Sequence, residues 1–287
     1  MDGQSWLSLA FLLSILRGAT PLLFASLGGL FSERSGVIQI GLEGMMLIGA
    51  LAGATTAQLM HSPWLGFLAA ALGGVLVAML YGLFALKLKA DQIVSGTAIN
   101  ILAVGVAPFI TKLIFDTTGA TPSLSLEDRF AFEPVLIAVF SLAATIYVYR
   151  WTKAGLVLQF AGENPPALTA AGYHLTQVRW RSLAACGALA GWGGGSLSLF
   201  LASAYSPNMT AGRGFMALAA LIFGRWKPLP TAGACLLFAT ADAVQIRLQG
   251  NDSFIPVQFI QILPYLVTII ALAGFFGQSR APKGLGQ

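Results

Sequence analysis

Charged residues are scarce in this chain of 287 residues: Asp, Glu, Lys and Arg together make up only 9% of it, against roughly 25% in soluble domains. Hydrophobic residues make up 56%. The stretches Trp64–Leu86 and Ser182–Ala204 contain no charged residue, and each is long enough to cross a hydrocarbon core of about 30 Å. The composition therefore predicts a polytopic helical membrane protein and excludes a soluble globular domain.

Cysteine and histidine are also rare, with two residues of each. Cys186 and Cys235 lie inside predicted spans, where we expect small packing residues rather than a disulfide framework. His61 and His174 lie in loops predicted on opposite faces of the membrane, so they cannot share a catalytic triad or a two-histidine metal site. An intramembrane enzyme is therefore disfavoured, and we expect no metal or cofactor in this chain.

Several motifs of other classes are missing. No basic residue precedes Arg17, so we expect no cleavable signal peptide. The phosphate-binding motif G-x-x-x-x-G-K-[S/T] is absent, so the chain is not expected to hydrolyse ATP. The longest polar stretch, Thr152–Arg181, is too short for an independent core. We therefore expect a single transmembrane domain over residues 1–287, with a cytoplasmic loop at about 152–181.

Nine hydrophobic segments predict an all-α bundle of about eight to ten transmembrane helices. The segment Met209–Phe223 has a short continuous apolar run, so we expect a tilted or re-entrant half-helix there, covered by protein or facing a water-filled cavity. The segments are approximately Leu7–Leu30, Val37–Leu59, Trp64–Leu86, Ile93–Phe115, Pro134–Tyr149, Ser182–Ala204, Met209–Phe223, Leu229–Ile246 and Val257–Phe276.

Basic residues predict the orientation of the chain. The net charge of +5 reflects this role rather than a nucleic-acid partner, because cytoplasmic loops of membrane proteins carry excess Lys and Arg. We therefore place the C-terminus and the loop after the fifth span in the cytoplasm, with Arg129 and Arg213 as exceptions. The basic residues that share one side, if the spans alternate, are Lys87, Lys89, Arg150, Lys153, Arg179, Arg181, Arg225, Lys227, Arg280 and Lys283.

A short polar helix is predicted within this cytoplasmic loop, over Gly162–Gly172. The side chain of Asn164 can cap the helix N-terminus, and Pro165 suits the first helical position. Gly172 can adopt the left-handed conformation that ends a helix. Because a helix of under two turns is not stable alone in water, we expect it to dock on another subunit. An ordinary capped loop helix without a partner is the alternative.

Four blocks of the sequence resemble the permease subunits of bacterial ABC importers, in the branch for simple sugars, nucleosides and branched-chain amino acids. They are Ser32–Met46, Asp91–Asn100, Gly162–Gly172 and Arg213–Gly224. The chain is most similar to the shorter permease of paired nucleoside importers. The resemblance implies partner ATPase subunits that bind ATP and Mg, a second permease that is a different chain, an extracytoplasmic substrate-binding protein, and a place in the lipid of the bacterial inner membrane.

The resemblance also implies that the short cytoplasmic helix couples the permease to its ATPase. We expect Leu168 and its apolar neighbours to enter a groove on the ATPase, with the carboxylate of Glu163 complementing the positive end of the helix dipole. The residues assigned to this coupling site are Gly162, Glu163, Asn164, Pro165, Leu168 and Gly172.

Polar residues within the apolar spans are candidates for the translocation path, because such residues are costly in a membrane unless they are paired or face water. Glu43 either faces the path or forms an ion pair, for which Arg17 is a candidate partner. Asp242 invites the same two interpretations, whereas Asn100 and Ser95 suit either a path or hydrogen bonds between helices. The full set of path candidates is Glu43, Ser95, Asn100, Asp242 and Gln245.

We therefore expect a permease subunit of an ATP-driven importer for nucleosides or simple sugars, which forms the translocation path together with a second permease. A branched-chain amino acid permease is the alternative within this class. A self-contained proton-coupled carrier, with Glu43 or Asp242 as a relay, is the alternative outside it. Such carriers usually contain inverted repeats, and this sequence has only a faint internal echo between residues 34–37 and 213–216.

Overall fold

A computed structural model describes residues 8–117, 119–249 and 281–286. These residues form ten α-helices and no β-strand, as the sequence predicts. Two π-helical turns, Leu83–Lys87 and Leu197–Leu201, extend α3 and α8. The helices are α1 Leu9–Arg34, α2 Leu42–Met60, α3 Pro63–Gly82, α4 Gln92–Phe115, α5 Glu133–Trp151, α6 Lys153–Glu163, α7 Pro165–Ala170, α8 Leu175–Ser196, α9 Arg213–Phe223 and α10 Pro228–Gln249.

Six helices of the described residues are long and apolar enough to cross a membrane: α1, α3, α4, α5, α8 and α10. The predicted half-helix is confirmed, because α9 has 11 residues and spans only about 16 Å at 1.5 Å per residue. The ninth predicted span, Val257–Phe276, lies outside the described residues.

The second predicted span, Val37–Leu59, is wrong at its start. The helix α2 begins at Leu42, and residues 37–41 are not helical. α2 is not among the six candidate spans, and the polar residues Glu43 and Gln58 interrupt its apolar sequence near either end. Protein surrounds most of this helix, since 13 of its 19 residues are buried. α2 is therefore a central element of the bundle rather than a lipid-facing one.

Glycines allow α2, α3 and α8 to approach one another closely at the centre of the bundle. A Cβ atom on Gly194 of α8 would overlap the carbonyl oxygen of Met46 of α2, and one on Gly191 would overlap that of Ala70 of α3. The two cysteines, Cys186 and Cys235, are free and buried, as expected of packing residues. Backbone contact across small residues is a common way for membrane helices to associate.

This packing predicts that Gly194→Ala destabilises the protein strongly, because the added methyl group has no space and overpacking costs about 1–3 kcal/mol or more. The control is Gly105→Ala on α4, where an added Cβ would meet no atom within 4 Å. We expect a lower midpoint of thermal unfolding in detergent for the first variant and an unchanged midpoint for the second. Equal midpoints for the two variants would contradict the close packing.

The C-terminal stretch 281–286 and α7 lie at the same end of the bundle. The backbone N–H of Gly284 donates to the carbonyl oxygen of Gly162 at 2.7 Å, and that of Gly286 donates to Gly36 at 3.0 Å. The end of α1, the end of α6 and the end of the chain therefore meet in one place. The sequence predicted that α7 and the C-terminus share a side, and these contacts agree.

Candidate coupling and translocation sites

The caps predicted for the short helix are present in α7. The side-chain oxygen of Asn164 accepts a hydrogen bond from the backbone N–H of Ala167 at 3.3 Å, and Pro165 is the first helical residue. Gly172 has a φ of +84°, the left-handed conformation in which glycine carries no steric cost. α7 is thus a helix of 6 residues whose start and end are defined by neighbouring residues of its own sequence.

Gly162 and Glu163 do not belong to this short helix, in contrast to the prediction. They are the last two residues of α6, which packs against α1. A Cβ atom on Gly162 would overlap the carbonyl oxygen of Arg34 at the end of α1. The Glu163 carboxylate lies 3.4 Å from the Arg34 guanidinium. Both residues therefore join the loop to α1, in addition to any effect of Glu163 on the dipole of α7.

The prediction that Leu168 faces a partner is wrong, because its side chain faces the bundle of its own chain. Leu168 is only 4% exposed, and α7 contacts α6 and α8 of its own chain. Its side chain therefore anchors α7 to the bundle and cannot enter a groove on a partner. The surface that α7 presents outward consists of small residues, of which only Thr169 is polar, and its exposed residues are Pro166, Ala167, Thr169 and Ala170.

Hydrogen bonds connect the end of α1 to two other parts of the bundle, the turn after α9 and helix α8. Arg34 donates through Nε to the carbonyl oxygen of Trp226 at 3.0 Å, and the indole N–H of Trp226 donates to the carboxylate of Glu33. Arg179 of α8 donates to the carbonyl oxygen of Ser35 at 3.2 Å. The turn that follows α9 is therefore hydrogen-bonded to Glu33 and Arg34, and the end of α6 packs against Arg34.

Glu43 caps the half-helix α9 from the neighbouring helix α2. Its two carboxylate oxygens accept the backbone N–H groups of Gly212 at 2.8 Å and Gly214 at 2.6 Å. A carboxylate at this position satisfies free N–H groups and complements the helix dipole. The ion pair considered with Arg17 is absent, because Arg17 instead donates to the carbonyl oxygen of Phe200 at 3.4 Å and lies over its ring.

Asn100 braces the non-helical segment that precedes α2. Its side-chain amide donates to the carbonyl oxygen of Ile40 at 2.9 Å, and its side-chain oxygen accepts the N–H of Gly44 at 2.8 Å. The side-chain oxygen of Gln92 accepts the N–H of Ile38 at 2.8 Å. Unpaired backbone groups are costly inside a membrane. The side chain of Asn100 therefore makes the hydrogen bonds within the bundle that one of its two interpretations predicts, and its role in a path stays a prediction.

A cavity of about 500 Å³ lies between α1, α9 and α10, and Asp242 contributes to its lining. Two basic residues, Arg17 and Arg213, line the same cavity. Gln245 is half-buried and Ser95 is buried, and neither of them lines it. Among the path candidates, Asp242 is thus the one that lines this cavity and shares it with residues of opposite charge. The cavity lies beside the start of α9, which Glu43 caps.

Sequence reasoning missed Gly212, Gly214 and Glu33. Gly212 and Gly214 donate the N–H groups that Glu43 accepts. The sequence contains a signal for this site, because two glycines flank Arg213 just before the apolar run that forms α9. Glu33 is 3% exposed and ends an apolar segment, where a carboxylate needs a donor such as the Trp226 indole.

A bundle of apolar helices that encloses a capped half-helix, with a short exposed helix at one end, defines a multi-pass membrane protein of the permease class. Its sequence narrows this further. Residues 11–272 match the family described as branched-chain amino acid transport system / permease component, and the chain belongs to that family.

Several similar proteins are named as permeases of ABC transporters. The guanosine ABC transporter permease protein NupQ of Bacillus subtilis is 36% identical over 93% of this chain and 92% of its own. The nucleoside ABC transporter permease protein NupC of Lactococcus lactis is 34% identical with the same coverage. The glucose ABC transporter permease protein TsgB13 of Haloferax volcanii is 26% identical over 92% of this chain and 77% of its own. The expected resemblance is therefore confirmed, and the chain is a non-catalytic permease subunit of an ABC importer.

Proposed function

We propose that the chain is a permease subunit of an importer for nucleosides. The observation that carries this proposal is its 36% and 34% identity to permeases named for guanosine and nucleosides, along nearly the full chain. Two relatives named for glucose, one of them as putative, are more distant, at 29% and 26%, so simple sugars are the second candidate. The cavity with Arg17, Arg213 and Asp242 suits hydroxyl-bearing solutes, because it offers both donors and acceptors.

The partners we propose follow from this class. Separate ATPase subunits bind ATP and Mg and contact the exposed face of α7, defined by Pro166, Ala167, Thr169 and Ala170. A second permease, a different chain, completes the path, and an extracytoplasmic binding protein delivers the solute. α7 and the C-terminus face the cytoplasm of a cell whose inner membrane holds the complex, because Lys87, Lys89, Arg150 and Lys227 lie at that end.

The contacts of α7 suggest how work from ATP reaches the path. A displacement of α7 is passed to α6, and from Gly162 and Glu163 to the end of α1. Arg34 and Trp226 carry it to the turn after α9. Because packed elements move as rigid bodies, α9 then shifts as a unit, and its capped start lies beside the cavity of Asp242. In this proposal the half-helix α9 connects the surface that contacts the ATPase to the cavity that contains Asp242.

Reconstitution tests this proposal. The chain is placed in liposomes with its ATPase, its partner permease and the binding protein, and uptake of radiolabelled guanosine is compared with that of glucose. We expect ATP-dependent uptake of guanosine that exceeds that of glucose roughly tenfold, a difference of about 1.4 kcal/mol. Faster uptake of glucose would assign the chain to sugars. Uptake by this chain alone without ATP would instead support the proton-coupled carrier.

A further inference from the structure

A second pocket, of about 360 Å³, opens beside α7 between α5, α6 and α8. Its deeper wall is apolar and includes Phe31, Val148, Leu158 and Ala185. Ala185 lies ten residues after the start of α8, or about 15 Å along the helix axis. The pocket therefore reaches from the end of the bundle to the depth of the transmembrane helices.

The outer rim of this pocket is basic. Lys153 and Arg181 are both exposed and line it, together with His174, and no acidic residue contributes to its lining. Lys153 begins α6 and Arg181 lies in the second turn of α8. Two cations on separate helices thus converge on the entrance to an apolar pocket.

Aromatic residues mark the level of this rim as a membrane interface. Tyr147 and Trp151, in the last turn or so of α5, are 59% and 63% exposed, and Tyr173 beside the pocket is 47% exposed. Arg150 lies over the ring of Trp151 with its guanidinium carbon 5.3 Å from the ring centroid. Tyrosine and tryptophan are enriched where helices leave the hydrocarbon core and meet lipid headgroups. The basic rim therefore lies at headgroup level, and the apolar wall lies at acyl-chain level.

We propose that this pocket binds one anionic diacyl phospholipid, with its phosphate between Lys153 and Arg181 and an acyl chain along the wall formed by Val148 and Ala185. A soluble phosphate would leave the apolar wall uncovered, and a zwitterionic lipid would bring its own cation close to Lys153 and Arg181 together with its phosphate. Basic pockets between helices at a membrane surface recognise anionic headgroups for this reason. The site is separate from the cavity of Asp242 and does not depend on which solute is transported.

Lipid binding to the full-length chain, purified in detergent, tests the proposal. Phosphatidylglycerol and phosphatidylcholine with identical acyl chains are added, and retained lipid is counted by native mass spectrometry. We expect selective retention of phosphatidylglycerol, which also raises the midpoint of thermal unfolding because it binds the folded state. The double variant Lys153→Gln/Arg181→Gln is expected to bind phosphatidylglycerol about 30-fold more weakly, since two cations near an anionic headgroup are lost.

The matched control is Lys87→Gln/Lys89→Gln, which removes two exposed cations at the same end of the bundle but outside the pocket. We expect this control to retain phosphatidylglycerol like the unaltered chain. The variant Ala185→Phe keeps both cations but fills the apolar part of the pocket, so it is expected to reduce the retention of phosphatidylglycerol as well. Equal retention of the two lipids, equal loss in the control, or displacement of the lipid by soluble glycerol phosphate would each overturn the proposal.

Discussion

Glu43→Gln is expected to lower the initial rate of guanosine uptake at least roughly tenfold, with the protein still inserted in the membrane. The carboxylate accepts two backbone N–H groups at the start of α9. An amide offers one acceptor and one donor, so one N–H group loses its partner, which costs about 1–3 kcal/mol in a buried site. In the proposed coupling route α9 connects the ATPase to the cavity, so a loosened start of α9 uncouples the two. The measurement is uptake per amount of permease in the membrane.

The control for this variant is Glu127→Gln, which makes the same chemical change at an exposed loop residue and is expected to leave uptake unchanged. Glu43→Asp keeps the charge on a shorter side chain and is expected to retain partial activity. A proton relay at Glu43 would give a different pattern, in which uptake needs a proton gradient and continues without ATP. Wild-type uptake by Glu43→Gln would show that the cap is not needed for transport.

The features that the sequence predicted correctly depend on local chemistry. Asn164 and Gly172 act on backbone groups within a few residues, so their capping roles are visible in any context. The half-helix α9 follows from the short apolar run at Phe215–Phe223, which is too brief to span a membrane. The class of protein likewise follows from composition, because charge is scarce along the whole chain.

The features that were mispredicted depend on which element lies opposite a side chain. Leu168 was assigned to a partner, but an apolar residue on a short helix looks the same whether it faces another subunit or its own bundle. The break before α2 was missed because Val37, Ile38 and Ile40 are apolar and continue the hydrophobic pattern. Its non-helical backbone is held by the distant side chain of Asn100, which no local pattern encodes.

Ala167→Trp is expected to abolish co-purification of the ATPase and to lower ATP-dependent uptake by roughly tenfold or more. Ala167 is exposed in the middle of α7, so the indole has room in the isolated chain. In the proposed complex the same position is covered, and a bulky group inserted into a packed contact costs about 1–3 kcal/mol. The measurements are the amount of ATPase bound per permease and the uptake rate in reconstituted liposomes.

Two further variants make this result specific to docking. Ala90→Trp adds the same bulk to an exposed residue at the same end of the bundle, and it is expected to leave both ATPase binding and uptake intact. Leu168→Ala removes a buried anchor, so it is expected to lower the midpoint of thermal unfolding, because truncating a buried leucine costs about 2–5 kcal/mol. Ala167→Trp should leave that midpoint unchanged. If Ala167→Trp still binds the ATPase, the exposed face of α7 is not the docking surface, and the coupling proposal fails even if the nucleoside assignment survives.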